Sequence, residues 1–550
     1  MEKRKGKIGL AAVILLVYGL LAYLFSPVFY LNDDVAIRSI LSGSYTGTPD
    51  GHGVYMGYPL TGILALLYGI LGNVPWFALL FAGCILYSIY VVAVEGCQKS
   101  IVGTIVLCTF GFILQFDNLL YTHYTIVASV LAGTAIFLWV YRKKKTASII
   151  LLLLCYMVRS QVFFLSIPFL MVAMLYRLVK EKEVAKQLIA CGIVALGVLA
   201  CMLCTKVMYS SEEWKSFLSF NEVRTQLYDY TGFSSYPQDM LEEELGLTGT
   251  QYQMLSSYDT ILDSRVDEEL LIQAIDRAPD GKTSIKEVLN GYINFLKYER
   301  MPLRFFVLLL YVALFATVFL KKDFKLLLPS LAIALGRNTI WLYLMWQGRF
   351  PERIIISLYF LEGLLLLGLL LREVAEIKKE LLRFACIGGA VCLIALAYLQ
   401  VRYTTNRMEK QLKYQQEWNN LKEYCLDRPD NLYLLDVFSV VVYGEMQYEK
   451  DPENMMLLGG WMTKNPLVNQ RFEKYQAKDA AEALLGGQDV YLVLDRVLDK
   501  GNRVRDVEWL NQYFKERFGD VSVKKVDEVF GSSEKIFEIY VVETEVPKAE

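Results

Sequence analysis

The chain has 550 residues, 55% of them hydrophobic and 21% charged, with a formal net charge of -2 and a mean hydropathy of +0.34. That apolar content exceeds what one soluble core needs and comes in blocks, which excludes an ordinary soluble globule and predicts an α-helical polytopic membrane protein. No basic patch interleaved with aromatics points to nucleic acid, so the expected partner is the lipid bilayer.

A block of roughly 17 to 25 apolar residues can cross about 30 Å of hydrocarbon as a helix. About 11 transmembrane helices are expected, over residues 8–31, 75–94, 101–116, 121–141, 147–158, 162–178, 187–207, 303–320, 325–346, 354–371 and 384–401. Arg159, Ser160 and Gln161 interrupt what could otherwise be one continuous fifth and sixth stretch. The first run is longer than a signal-peptide core and lacks an A-x-A site before Pro27, so it reads as an uncleaved anchor.

Positive charge fixes the expected orientation, because short cytoplasmic loops retain Lys and Arg. With the N-terminus inside, the inner segments carry 20 Lys and Arg, including Lys99, Arg142 to Lys145 and Lys378. The short outer loops carry Arg38, Arg159, Arg349 and Arg353. This predicts a multi-pass protein of the plasma (cytoplasmic) membrane with a cytoplasmic N-terminus.

Residues 1–401 are expected to form the transmembrane domain. Its first outer loop, 32–74, should contain a flexible stretch over 45–58 and an interfacial helix over 59–71, the latter being too short to span. A second outer loop, 209–301, carries 8 basic and 17 acidic residues. Apolar residues at helical spacing over 266–277 and 285–297 predict a helical cap there.

Residues 402–550 read as an extracytoplasmic α/β domain, with a polar helix over 406–425 and strands over 432–437, 490–494, 521–529 and 536–542. Helices are expected over 478–485 and 507–518. The Gly459-Gly460 and Gly486-Gly487 pairs read as turns, since neither fits a phosphate-loop pattern. Of the ten cysteines only Cys425 lies in a large outer region, so no disulfide framework is expected, which suits a bacterial setting.

The candidate chemistry lies in four polar groups that this topology puts on one side. They are Asp33 and Asp34 after the first span; Asp117, Asn118 and His123 between the third and fourth; Arg159 and Gln161 between the fifth and sixth; and Gln347, Arg349, Glu352 and Arg353 between the ninth and tenth. Carboxylates at the edge of the hydrocarbon are a functional-site signal by default, although Asp33 and Asp34 also suit the first turn of a helix. Arg can hold phosphate oxygens in a bidentate fork while its stem stays in the apolar layer. Either aspartate suits a base for a hydroxyl, or a hard oxygen ligand for Mg or Mn. His52 and His123, the only histidines, exclude a His-rich metal site and fit structural or substrate-binding roles.

These residues give the chain a resemblance to the GT-C superfamily of polytopic membrane glycosyltransferases, which use polyprenyl-phosphate-linked sugars. The resemblance is carried by Asp33-Asp34, by Gly57-Tyr58-Pro59-Leu60 leading into the interfacial helix, by Arg159, and by Gln347-Gly348-Arg349-Phe350-Pro351 late in the bundle. It implies a GT-C-like fold and inverting transfer from a polyprenyl-phosphate-linked sugar donor to a cell-envelope acceptor on the outer face. It also implies Asp33 or Asp34 as the base and Arg349 as a phosphate contact. Here Pro351 follows Arg349 by two positions, against four in the superfamily's usual setting.

Two other classes compete. A flippase or transporter of lipid-linked saccharides would need polar residues through the bundle, whereas the span interiors read as nearly uncharged and no internal repeat is evident. A non-catalytic cell-envelope binding scaffold would rest on the large outer regions.

Overall fold

The computed structural model describes residues 2–97, 100–142, 144–231, 233, 248–256, 258, 260–278, 281–374, 379–440, 443–450, 452–486, 489–495, 507–531 and 535–544. Lys99, Lys143, Lys378, Gly487 and residues 234–247 of the acidic loop lie outside the described residues.

In chain order the bundle helices are α1 (Glu2–Phe25), α2 (Asn32–Ser42), α3 (Tyr58–Ile70), α4 (Trp76–Gly96), α5 (Ile101–Leu120), α6 (Tyr124–Tyr141), α7 (Lys145–Val158), α8 (Ser160–Glu181) and α9 (Val184–Met208). The segment that follows holds α10 (Glu212–Tyr230), α11 (Gly249–Ser256), α12 (Glu268–Arg277) and α13 (Ile285–Tyr298). The bundle resumes with α14 (Pro302–Lys321), α15 (Leu327–Trp346) and α16 (Glu352–Val374), and α17 (Lys379–Leu426) leads out of it. Among the described residues nine helices are long and apolar enough to cross a membrane. The expected span at 147–158 is the 14-residue α7. The apolar run 384–401 and the polar helix expected at 406–425 are two parts of the single 48-residue α17.

At the centre, α6 is apolar on every side and buried along its length, which is how a helix surrounded by other helices reads. It packs on α16 through Gly133, where an added Cβ would come within 3.1 Å of the Phe360 carbonyl. One end of the bundle is tied by charge: Arg372 donates to Glu181 at 2.6 Å, Lys144 to Glu95 at 2.6 Å, and the fully buried Arg177 to the Trp139 carbonyl at 2.8 Å.

The span interiors, expected to be nearly uncharged, hold a matched pair of charges. Arg337 of α15 and Glu362 of α16 face each other at 3.3 Å, and Tyr311 donates to Glu362 at 2.7 Å. Helical periodicity could not reveal the pair, because each charge stands alone in an apolar run and only packing brings them together.

The opposite end carries the remaining elements. α1 stops at Phe25, six residues earlier than expected, and a short strand β1 (Val28–Phe29) pairs in parallel with β2 (Tyr121–Thr122). The C-terminal region docks there: Phe29 N donates to the Glu445 carbonyl at 2.9 Å, and Gln447 donates to Val28 O at 2.7 Å and Thr122 Oγ1 at 2.8 Å.

That region holds a five-stranded sheet in the order β4 (Met455–Leu458), β3 (Leu432–Asp436), β5 (Val490–Asp495), β7 (Lys535–Thr544), β6 (Val521–Phe530). The first three strands are parallel and the last two antiparallel. Helices α18 (Pro466–Glu473), α19 (Ala480–Gly486) and α20 (Val507–Phe518) complete it. β4 and α18 were missed by the sequence reading; four residues of strand and eight of helix give too little periodicity to register.

Candidate active site at one end of the bundle

Asp33 and Asp34 occupy the first turn of α2, where the helix dipole favours negative charge. They face different surroundings. Asp34 is completely buried, and its Oδ1 accepts the Tyr124 backbone N–H at 3.0 Å, satisfying one of the orphan donors at the start of α6. Its Oδ2 is buried without a hydrogen-bond partner. Burial pushes the Asp34 carboxyl well above the usual carboxylate range, against the pull of the Tyr124 N–H and of Arg353 and Arg159. Asp33 is only partly buried, and its Oδ1 accepts the indole N–H of Trp461 at 3.0 Å.

His123 caps α6 from the other side. Its Nδ1 accepts the Thr125 N–H at 3.0 Å, so the ring proton belongs on Nε2, which is buried and unpartnered. The ring lies 3.8 Å from Asp34 Oδ2, and burial, with Arg353 and Arg159 nearby, holds its pKa well below the usual 6.5. His123 is therefore a neutral donor.

Arg159 sits at the junction of α7 and α8, where the chain breaks from helix into extended conformation. Its guanidinium lies 5.0 Å from the centroids of both Tyr55 and Tyr124, and Nη1 is buried with no partner. Three buried polar atoms, Arg159 Nη1, His123 Nε2 and Asp34 Oδ2, thus lack protein partners in one neighbourhood. Unpaired buried groups of this kind cost about 1–3 kcal/mol each, and a polar group bound from outside the protein would satisfy them. Arg353, in the first turn of α16, adds a second guanidinium within charge-interaction range of Asp34 and His123.

The structure brings together Asp33, Asp34, His123, Arg159 and Arg353. Five other sequence candidates lie elsewhere. Arg349 forms an ion pair with Asp229 of α10 and stacks over Tyr230, so Arg353 rather than Arg349 accompanies the carboxylates. Asp117 pairs with Arg407 of α17 at 2.8 Å and not with Arg159. His52 is bonded to Asp50 at 2.7 Å and stacks on Trp214 at 4.2 Å. Tyr58 edges against His52 at 5.1 Å. Gln161 is exposed on the first turn of α8, beside the Ser160 hydroxyl at 3.3 Å.

Trp461, Tyr55 and Tyr124 were not expected at the site. Trp461 arrives on a turn opened by Gly459 and Gly460, with φ of 84° and 64°, a backbone that glycine adopts without the steric penalty of a Cβ. The glycine pair signalled the turn; nothing in the sequence signalled its destination. Among the described residues no group of three His, Cys, Asp or Glu side chains is placed to hold a metal ion. With one Asp34 oxygen on Tyr124 N and two guanidiniums beside it, the aspartate pair does not make a cation cage.

No family model, curated protein or solved structure matches this chain.

Proposed function

We propose that the protein is a GT-C-like membrane glycosyltransferase that transfers a sugar from a polyprenyl-phosphate donor to a hydroxyl of a cell-envelope acceptor. The observation that carries the reading is the gathering of Asp33, Asp34, His123, Arg159 and Arg353 at the rim of an apolar bundle, with donor atoms left unpaired. A substrate that is half isoprenoid and half phosphosugar meets both demands: its tail lies in the hydrocarbon and its phosphate faces the two guanidiniums.

In this reading Asp33 is the base, because it is the accessible carboxylate of the pair. The acceptor O–H gives its proton to Asp33 as its oxygen attacks the anomeric carbon, and the bond to the phosphate oxygen breaks with inversion. The phosphate leaves as an anion beside Arg159, Arg353 and the His123 Nε2–H, fixed donors that need no reorganisation as charge develops. Asp34 positions the start of α6. The basic bias of the opposite end supports a cytoplasmic N-terminus and a site on the outer face.

The test is donor cleavage by purified protein in lipid. Wild type should release polyprenyl phosphate and Asp33→Asn should not, at equal folding; equal release by both removes the assignment.

One observation favours a second reading, a flippase of lipid-linked saccharides: the Arg337–Glu362 pair inside two spans. Its charges are matched to each other and to Tyr311, which suits a clasp between α15 and α16 better than a path.

A further inference from the structure

Among the described residues outside the candidate site, α13 carries an apolar face that the fold leaves uncovered. Ile285, Leu289 and Ile293 are 75%, 50% and 60% exposed, although all three are branched aliphatic residues at i, i+4 and i+8. The helix is not adrift. A capping box between Ser284 and Glu287 fixes its start, and Val288, Tyr292 and Phe295 turn inward, with Tyr292 donating to Asn338 at 2.9 Å and Phe295 packed on Trp341 and Phe350 at 5.0 and 5.1 Å.

At about 100° per residue the inward residues and the exposed aliphatics form one continuous apolar arc, and Lys286 and Lys297 follow directly at its edge. Glu287 and Asn294 lie opposite. This ordering, apolar then basic then acidic or polar, is that of a helix lying in a membrane surface.

The placement of α13 agrees with the pattern. It begins level with the end of span α15, where Thr283 N donates to the Trp346 carbonyl at 2.9 Å. It ends beside Glu299, which accepts from Tyr359 at 3.1 Å. Tyr359 is seven residues into α16, about 10 Å below the helix end at 1.5 Å per residue. A helix that descends about 10 Å along its length lies at the depth of the headgroup and acyl boundary. Its neighbour α15 shows Leu328, Leu331 and Leu335 to the outside, so the exposed aliphatics of α13 continue a surface that hydrocarbon covers. Lys282 over the Trp346 ring at 5.6 Å and Lys297 over Tyr298 at 4.9 Å add the aromatic and basic rim typical of that layer.

We propose that α13 is seated in the bilayer interface and binds an anionic lipid surface, its aliphatic face among the acyl chains and Lys282, Lys286 and Lys297 among the headgroups. The helix packs against the Trp346–Phe350 turn that leads to Arg353, so the lipid layer meets the candidate site at this wall. The inference does not depend on the transferase reading.

The experiment uses the full chain in nanodiscs of phosphatidylcholine, alone or in equal mixture with phosphatidylglycerol, with a diazirine on the acyl chain of a tracer lipid and crosslinks mapped by mass spectrometry. Crosslinks on α13 around Leu289 and Ile293, alongside those on α15, are expected. An α13 that stays unlabelled while α15 labels in the same sample overturns the proposal, as does α13 crosslinking to a second copy instead of lipid. With the diazirine on phosphatidylglycerol, Lys286→Gln should lower the α13 yield about fivefold relative to a phosphatidylcholine tracer. An unchanged ratio overturns the anionic preference.

Discussion

Trp461 donates its indole N–H to Asp33 Oδ1 at 3.0 Å across 428 residues of sequence. The C-terminal region thereby places a side chain at the candidate active site, and the carboxylate is held in one orientation with its second oxygen left to act. Trp461→Phe removes the donor and keeps most of the ring. A charge-assisted hydrogen bond of this kind is worth about 1.5–3 kcal/mol, so transfer should fall roughly tenfold or more. A role for Trp461 confined to folding would lower the rate only as far as the thermal unfolding midpoint falls, so the two are measured on the same samples.

The two aspartates should separate cleanly. Asp33→Asn is expected to lose about 10²- to 10⁴-fold in transfer with unchanged thermal stability. Asp34→Asn keeps an oxygen for the Tyr124 N–H and should fold normally, whereas Asp34→Ala leaves that donor unpaired and should cost about 1–3 kcal/mol.

Asp34 also sets a pH dependence. Because burial raises its pKa, the folded chain holds a proton that the unfolded chain releases above about 3.8. Its contribution to stability is complete below that value and is lost as pH rises through the folded pKa. His123 acts in the opposite direction: its lowered pKa makes its contribution complete above about 6.5 and lost as pH falls below it. Thermal unfolding against pH should show less loss on the alkaline side in Asp34→Asn and less loss on the acid side in His123→Gln than in wild type.

The two late arginines should differ as their surroundings do. Arg349 and Asp229 are each about one third exposed, at 32% and 29%, and such pairs contribute about 0–1 kcal/mol. Arg349→Gln should leave transfer within a few-fold of wild type, while Arg353→Gln and Arg159→Gln should each lower it by 10²-fold or more, the scale of a lost oxyanion donor. Comparable losses in all three would return Arg349 to the site.

Inside the bundle, removing one member of the Arg337–Glu362 pair should destabilise by about 3–5 kcal/mol, because the other charge is left alone in hydrocarbon. The double variant Arg337→Met with Glu362→Leu should recover most of that stability, as read from detergent-solubilised unfolding midpoints.

Much of this architecture follows from local signals. Long apolar runs are self-announcing, and the helices at Glu268–Arg277, Ile285–Tyr298 and Val507–Phe518 agree with expectation because their apolar residues keep a 3.6-residue period. What could not be read is what tertiary packing decides. Arg349 and Arg353 are four residues apart in sequence and chemically identical, yet Asp229 of α10 occupies one and leaves the other to the carboxylates. Adjacent Asp33 and Asp34 differ only because a helix turns one outward and the next inward. Trp461 depends on a docking between distant segments that no window of sequence contains.

The most direct measurement is the binding of polyprenyl phosphate to purified wild type and to Arg159→Gln, Arg353→Gln and Arg349→Gln, titrated by thermal shift in lipid nanodiscs. The account predicts saturable stabilisation of wild type and Arg349→Gln, with affinity at least about tenfold weaker in the other two, the loss of one good charge-assisted contact. Equal binding by all four proteins, or none by wild type, would contradict the placement of a lipid phosphate beside Asp33 and Asp34.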